Sequence, residues 1–89
     1  MRHLDFLFQQ EMQKKIYLEF QKKFGENLKK LREKKKLSLR EVAYNCELDD
    51  SNISKIEHGK SNITLKTVIE LSKGLEVSLK SLFDFDWEW

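Results

Sequence analysis

Apolar residues return at every fourth position along the first third of the chain: Leu4, Phe8, Met12, Ile16, Phe20, Phe24 and Leu28. This spacing predicts helix from Asp5 to about Lys35. Each four-residue step drifts roughly 40° around a 3.6-residue helix, so a straight seam wanders and one long coiled coil is not expected. Phe6, Phe8, Tyr17 and Phe20 make this segment rich in aromatics, and such a face buries against its own domain or a second copy. Beyond it, Val42, Ala43 and Cys46 form one short apolar set at helical spacing, and Ile53 and Ile56 form a second. Two short helices joined by a tight corner follow.

The polar residues between these sets punctuate them. Ser38 stands as an N-cap with Glu41 three residues on, the pattern of a capping box. Asp49-Asp50-Ser51-Asn52 opens the second short helix, placing negative charge at the positive end of its dipole. Gly59 closes that helix, since glycine enters the left-handed turn without steric cost. Thr64 caps a fourth helix with Leu65, Val68, Ile69, Ser72 and Leu75 on one face, and Gly74 near its end serves as terminator or permits close packing. Ser78 caps a last short helix, LKSLF. The chain then alternates apolar and acidic residues in FDFDWEW. Period two is a strand signature, so this tail either pairs with a partner or folds onto its own domain or frays.

Composition narrows the class. Eighty-nine residues, 39% hydrophobic and 36% charged, with three glycines and no proline, describe one helical globular domain. The expected fold class is therefore all-α. One cysteine excludes an internal disulfide and a CxxC metal site, and Cys46 on an apolar face reads as a reduced core thiol. No apolar run approaches the roughly 18 residues of a membrane span and no signal-peptide pattern opens the chain, so a soluble cytoplasmic protein is expected. The net charge is +2, unevenly spread. Residues 1–19 balance and 84–89 carry −3, which leaves +5 on residues 20–83. That excess is compatible with a phosphate-binding face.

The stretch SLREVAYNCELDDSNISKIEHGK, Ser38 to Lys60, resembles the helix-turn-helix of the phage repressor and Cro type family, also called the xenobiotic response element or lambda repressor-like family. Val42, Ala43, Cys46, Leu48, Ile53 and Ile56 stand where that motif needs apolar or small residues, and the resemblance runs from about Phe24 to Phe83. It implies a five-helix DNA-binding domain over residues 20–83, with residues 1–19 as a helical extension and 84–89 as an aromatic, acidic tail. The extension is expected to be continuous with the first helix or hinged near Gly25. Two positions depart from the family: Glu47 replaces the corner glycine, implying positive φ or a wider turn, and Leu39 replaces a glutamine that contacts phosphate.

Carried over residue by residue, the resemblance makes Asp50, Ser51 and Lys55 base-facing, with Asn52 at the edge. Lys55 suits the guanine O6 and N7 acceptors, while Asp50 either accepts from cytosine N4 or acts as a helix-start residue. Phosphate contacts are expected from Asn52, His58, Lys60, Ser61 and Asn62, from the helix starts at Ser38 and Thr64, and from Arg40 and Lys66. Lys29, Lys30 and Lys34 form a basic patch or a solvated face. The resemblance also pairs Arg32 with Glu57, partly buried and bidentate.

Double-stranded DNA is thus the expected partner, bound by a homodimer on a palindromic operator, and transcriptional regulation, as repressor or autoregulator, the expected function. The alternative keeps the scaffold as a protein-interaction module, such as an antitoxin, whose extension or tail holds a protein partner. No catalytic constellation, metal set, cofactor motif or small-molecule site is evident, and His58 has only His3 for company.

Overall fold

Short polar side chains set the helix boundaries in the computed structural model, which describes residues 3–89, with side chains from Leu7 onward. Helix α1 (His3–Lys34) is followed by α2 (Leu39–Tyr44), α3 (Asp50–Glu57), α4 (Leu65–Leu75) and a 3-10 turn at Lys80–Phe83. The capping box forms at α2: Ser38 Oγ accepts from the Glu41 N–H at 3.0 Å and Glu41 Oε1 accepts from the Ser38 N–H at 2.9 Å. Asp49 caps α3 by accepting the Asn52 N–H at 2.8 Å, and Thr64 caps α4 by accepting the Thr67 N–H at 3.2 Å. The expected fifth α-helix is instead the 3-10 turn. Its four residues close i to i+3 bonds such as Leu82 N–H to Leu79 O, too short a run to nucleate an α-helix.

Three helices end in the same way. At α1, α3 and α4 the chain turns left-handed at Lys36 (φ 59°), Gly59 (φ 70°) and Glu76 (φ 56°). In each case the next N–H reaches back to the last full turn: Leu37 to Arg32, Lys60 to Lys55, Val77 to Ser72. The lysine and the glutamate carry a steric cost that the glycine avoids. Glu76, not Gly74, is thus the terminator of α4.

Every helix feeds one core of Phe24, Leu28, Val42, Ile53, Ile56, Val68, Leu71, Leu75 and Leu82. On α4 the buried face is Val68, Leu71 and Leu75; Leu65 and Ile69, expected there, are 82% and 50% exposed. An i, i+4 pair on the flank of that arc faces solvent while the i, i+3, i+7 set faces inward. The long ridge of α1 likewise splits. Phe24 and Leu28 are in the core, Ile16 and Phe20 are half-buried, and Phe8 and Met12 are exposed.

Ile16 and Phe20 lie beneath the tail, which contains no strand. Phe85 and Trp87 set their rings 5.3 and 5.0 Å from the Phe20 ring, and Phe83 lies 5.1 Å from Phe24. The alternation expected of a strand is met by extended chain lying along a helix: Phe85 and Trp87 turn inward, while Asp84, Asp86 and Glu88 face water. Helix α1 meanwhile runs unbroken past residue 19 and through Gly25, so it has no hinge there. The molecule spans 51 Å along its long axis because a 32-residue helix is about 48 Å long.

Gly25 has a different task. A Cβ at that position would collide with the Ile56 carbonyl oxygen and stand 2.6 Å from that of Glu57. Glycine therefore lets the α1 backbone rest directly on the C-terminal end of α3. Gly74 does the same for α4 against α2, where a Cβ would come within 2.8 Å of the Val42 carbonyl oxygen. Both obstacles are backbone atoms held in helices, so relief requires the helices to separate. Gly25→Ala is expected to destabilise the domain by about 2–3 kcal/mol, measured as a lower urea midpoint at unchanged m-value.

Candidate nucleic-acid interface

The two short helices and their corner are positioned by three sets of polar contacts. Arg32, seven residues after Gly25 on α1, meets the last residue of α3: its Nε donates to Glu57 Oε2 at 2.7 Å and its Nη2 to Oε1 at 3.0 Å. A third donor, Nη1, binds the Leu37 carbonyl at 2.9 Å and so ties the entry to α2 into the same fork. The side chains are 13% and 3% exposed. The hydrogen bond that Arg32 donates to Glu57 raises the Arg32 pKa above its usual value against the opposing effect of burial, so the guanidinium keeps its charge.

The corner between α2 and α3 is held from α4. Glu47 is not at positive φ; among the described non-glycine residues only Lys36 and Glu76 are. Four residues, Asn45–Leu48, carry the chain round instead, and the Glu47 N–H donates to Glu70 Oε1 at 2.9 Å. That backbone hydrogen bond lowers the pKa of Glu70 from its ordinary value, with Lys73 helping from 3.4 Å. Cys46 sits half-buried beside this corner, its thiol donating to the Val42 carbonyl. Sequence reasoning placed no role on Glu70; the available signal was a carboxylate among Val68, Leu71 and Leu75 on the inner side of α4.

With Ile53, Ile56 and Glu57 buried, α3 presents its other face outward, and Asp50, Ser51, Asn52 and Lys55 all lie exposed on it. Asp49 carries the capping bond, and its Oδ1 also accepts from the Ser51 hydroxyl at 2.9 Å. These bonds hold the Asp49 pKa below the ordinary range. Asp50 is left as the first helical residue, its side chain free of any capping task. At the other end His58 Nδ1 lies 2.7 Å from the Ser54 carbonyl, an acceptor only, so Nδ1 carries the proton and Nε2 is directed away from the helix.

The flanking residues fall into two groups. Lys60, Asn62, Thr64 and Lys66 are exposed around the loop that follows α3, and Ser61 is half-buried beside Phe20 and Phe24. Arg40 is exposed on α2, with Tyr44, 89% exposed, one turn further along the same face. Tyr44 escaped the sequence reading because an aromatic at helical spacing normally signals core. Ser38 is less available, since its hydroxyl oxygen and backbone N–H are both engaged by Glu41. Among the described residues no group of acidic, histidine or cysteine side chains is arranged to hold a metal ion. No described helix is long and apolar enough to cross a membrane.

Comparison with known proteins follows the same outline. The helix-turn-helix family model matches residues 28–82. The control protein C.MunI of Mycoplasma sp is 44% identical over 62 residues, covering 68% of this chain and 84% of that protein. The crystal structure of the restriction-modification controller protein C.AhdI from Aeromonas hydrophila superposes with a TM-score of 0.72 at 31% identity, over 75% of this chain and 97% of that one. The controller protein C.Esp1396I, solved as a tetramer with its natural 35-base-pair operator, superposes with a TM-score of 0.68 at 35% identity, over 73% of this chain and 86% of that one.

Two measurements test the support beneath the outward face. Arg32→Ala leaves the Glu57 carboxylate buried without a partner and is expected to cost about 3–5 kcal/mol in urea denaturation. The second concerns acid. Because the folded-state pKa of Glu70 is depressed, its contribution is complete above the ordinary value of 4.5 and is lost as pH falls below it. Glu70→Gln is expected to flatten the loss of stability between about pH 5 and pH 3, read from thermal melts across that range.

Proposed function

The chain belongs to the helix-turn-helix family, and from that premise we propose that it is a transcription regulator binding operator DNA sequence-specifically as a homodimer. The observation that carries this reading is the division of α3. Its apolar side and Glu57 are fixed to α1 and the core, while four polar residues stand clear on the side a major groove would meet. The relatives named as controllers of restriction-modification systems extend the proposal: this chain is a controller of that kind, acting on the nucleoid in the cytoplasm.

In this reading Lys55 binds a guanine edge through its ammonium group, and Ser51 and Asn52 make less discriminating contacts. The Ser51 hydroxyl donates to Asp49, so it meets a base as an acceptor. Asp50, freed from capping, accepts from an amino group such as cytosine N4. Lys60, Asn62, Thr64, Lys66, Arg40 and the Nε2 edge of His58 contact phosphate, with Ser61 behind them and Ser38 contributing its hydroxyl hydrogen. Tyr44 adds a phenol beside Arg40. The aliphatic side chains of Leu65, Ile69 and Leu79, exposed on and beyond α4, form the two-fold contact that sets half-sites about 34 Å apart or at multiples of that.

Fluorescence titration against an operator fragment and random DNA over a salt series tests the assignment. Lys55→Ala is expected to weaken operator binding by about 1–3 kcal/mol and relax preference at one base position. Lys60→Ala is expected to weaken both DNAs alike and reduce the salt slope by about one. Equal losses on the two DNAs for Lys55→Ala would remove it from base reading, and binding without salt dependence would remove the phosphate face altogether.

A further inference from the structure

We propose that the N-terminal half of α1 is a self-association surface, on which the same segment of a second copy lies antiparallel. This goes beyond operator binding and uses a part of the chain that precedes the family match at residue 28. The arm extends outward from the domain: the radius of gyration is 15.2 Å, where about 12 Å is usual for a compact chain of this length. The tail covers Ile16 and Phe20 and reaches the edge of Met12. The side it leaves open carries Leu7, Phe8 and Leu18, which are 42%, 67% and 52% exposed, with Met12, 45% exposed, at its border.

Three features point to a second copy as the occupant. The first is area. The exposed parts of those four side chains come to roughly 400 Å², a patch large enough to mark an interaction surface. Two such arms, with their charged flanks, bury on the order of the 1,200 Å² that a specific interface needs.

The second is charge. From Leu7 to Glu19 the arm holds Glu11 and Glu19 against Lys14 and Lys15, which leaves it neutral. A two-fold contact sets a surface against its own copy, so a net charge would repel; a neutral face with both signs does not. A nucleic acid would demand a positive face and an acidic protein likewise.

The third feature is register. Phe8, Glu11, Lys15 and Leu18 follow one another at three, four and three residues, the spacing of a short two-helix seam. About a two-fold axis at residue 13, Phe8 meets the second copy's Leu18 and Glu11 meets its Lys15, each contact occurring twice. The centre of the seam is ionic and its ends are apolar. Parallel pairing would instead set Glu11 against Glu11 and Lys15 against Lys15.

Sedimentation equilibrium of the full chain tests this with a charge swap at two exposed positions, using matched melting curves as the control for folding. The wild type is expected to be a tetramer at micromolar concentration, dimers formed through the α4 side being joined through their arms. Glu11→Lys is expected to give dimers, with the arm association weakened at least tenfold, and Glu11→Lys combined with Lys15→Glu to restore tetramers. A wild-type dimer that Glu11→Lys converts to monomer, and the double variant restores, upholds the arm pairing and overturns the α4 contact proposed above. Unchanged mass in Glu11→Lys, or no restoration in the double variant, overturns the arm pairing.

Discussion

The fork between Arg32 and Glu57 is the contact on which the placement of α3 depends. Burial of a carboxylate at 3% exposure is tolerable only because two guanidinium nitrogens complete it, at 2.7 and 3.0 Å. The third nitrogen takes the Leu37 carbonyl, so one side chain fixes the end of α3 and the start of the segment leading into α2. Gly25 makes the fork geometrically reachable by letting the two backbones touch one α1 heptad earlier. A lysine in place of Arg32 could supply the charge but not the fork, since its point charge has no second and third fixed donor. Direction matters as much as attraction here, because α3 must be held at an angle that leaves its outward residues clear.

Acidic residues in the motif have a double effect. Glu41 and Asp49 sit at the starts of α2 and α3 and stabilise both through capping bonds, which hold their pKa values below the ordinary range. The same negative charges oppose a phosphate approaching those helix ends. The proposed phosphate grip therefore shifts toward side chains beyond α3, at Lys60, Asn62 and Lys66, and toward Arg40 on the outer face of α2. In the proposed reading the basic side chains of Arg40, Lys60 and Lys66 offset these negative charges locally, so a chain of net charge only +2 still offers phosphate a positive approach.

Local rules made much of this fold legible. The caps at Ser38, Asp49 and Thr64, the turn at Gly59 and the two short helices follow from side chains acting on their nearest backbone neighbours, which sequence displays directly. Contacts between distant elements were less visible. Nothing in the spacing of Leu65 and Ile69 distinguishes flank from core, because the arc of α4 that is buried depends on where α2 crosses it at Gly74. Glu47 read as a strained corner because the carboxylate that relieves it, Glu70, lies 23 residues away. The tail read as a strand because alternation reports extended chain, and cannot say whether the partner is another strand or the side of a helix. At the candidate site, the outward residues of α3 were named through the family resemblance, while Tyr44 and the tether from Ser51 to Asp49 needed coordinates.

Helix α1 links these parts mechanically. It is one continuous helix from the exposed arm, past the tail at Phe20, over the end of α3 at Gly25, to the fork at Arg32. A helix of this length bends only gently unless proline, a bulge or an inserted group interrupts it, and α1 contains no proline. Whatever fixes the direction of the arm therefore fixes the direction of α3 relative to it. If two arms pair as proposed, the relative orientation of their reading helices is set by rigid geometry, with no flexible linker between. Spacing between the sites that two such copies can occupy would then be restricted to values the paired arms permit, so assembly would contribute to site selection alongside the base-facing residues.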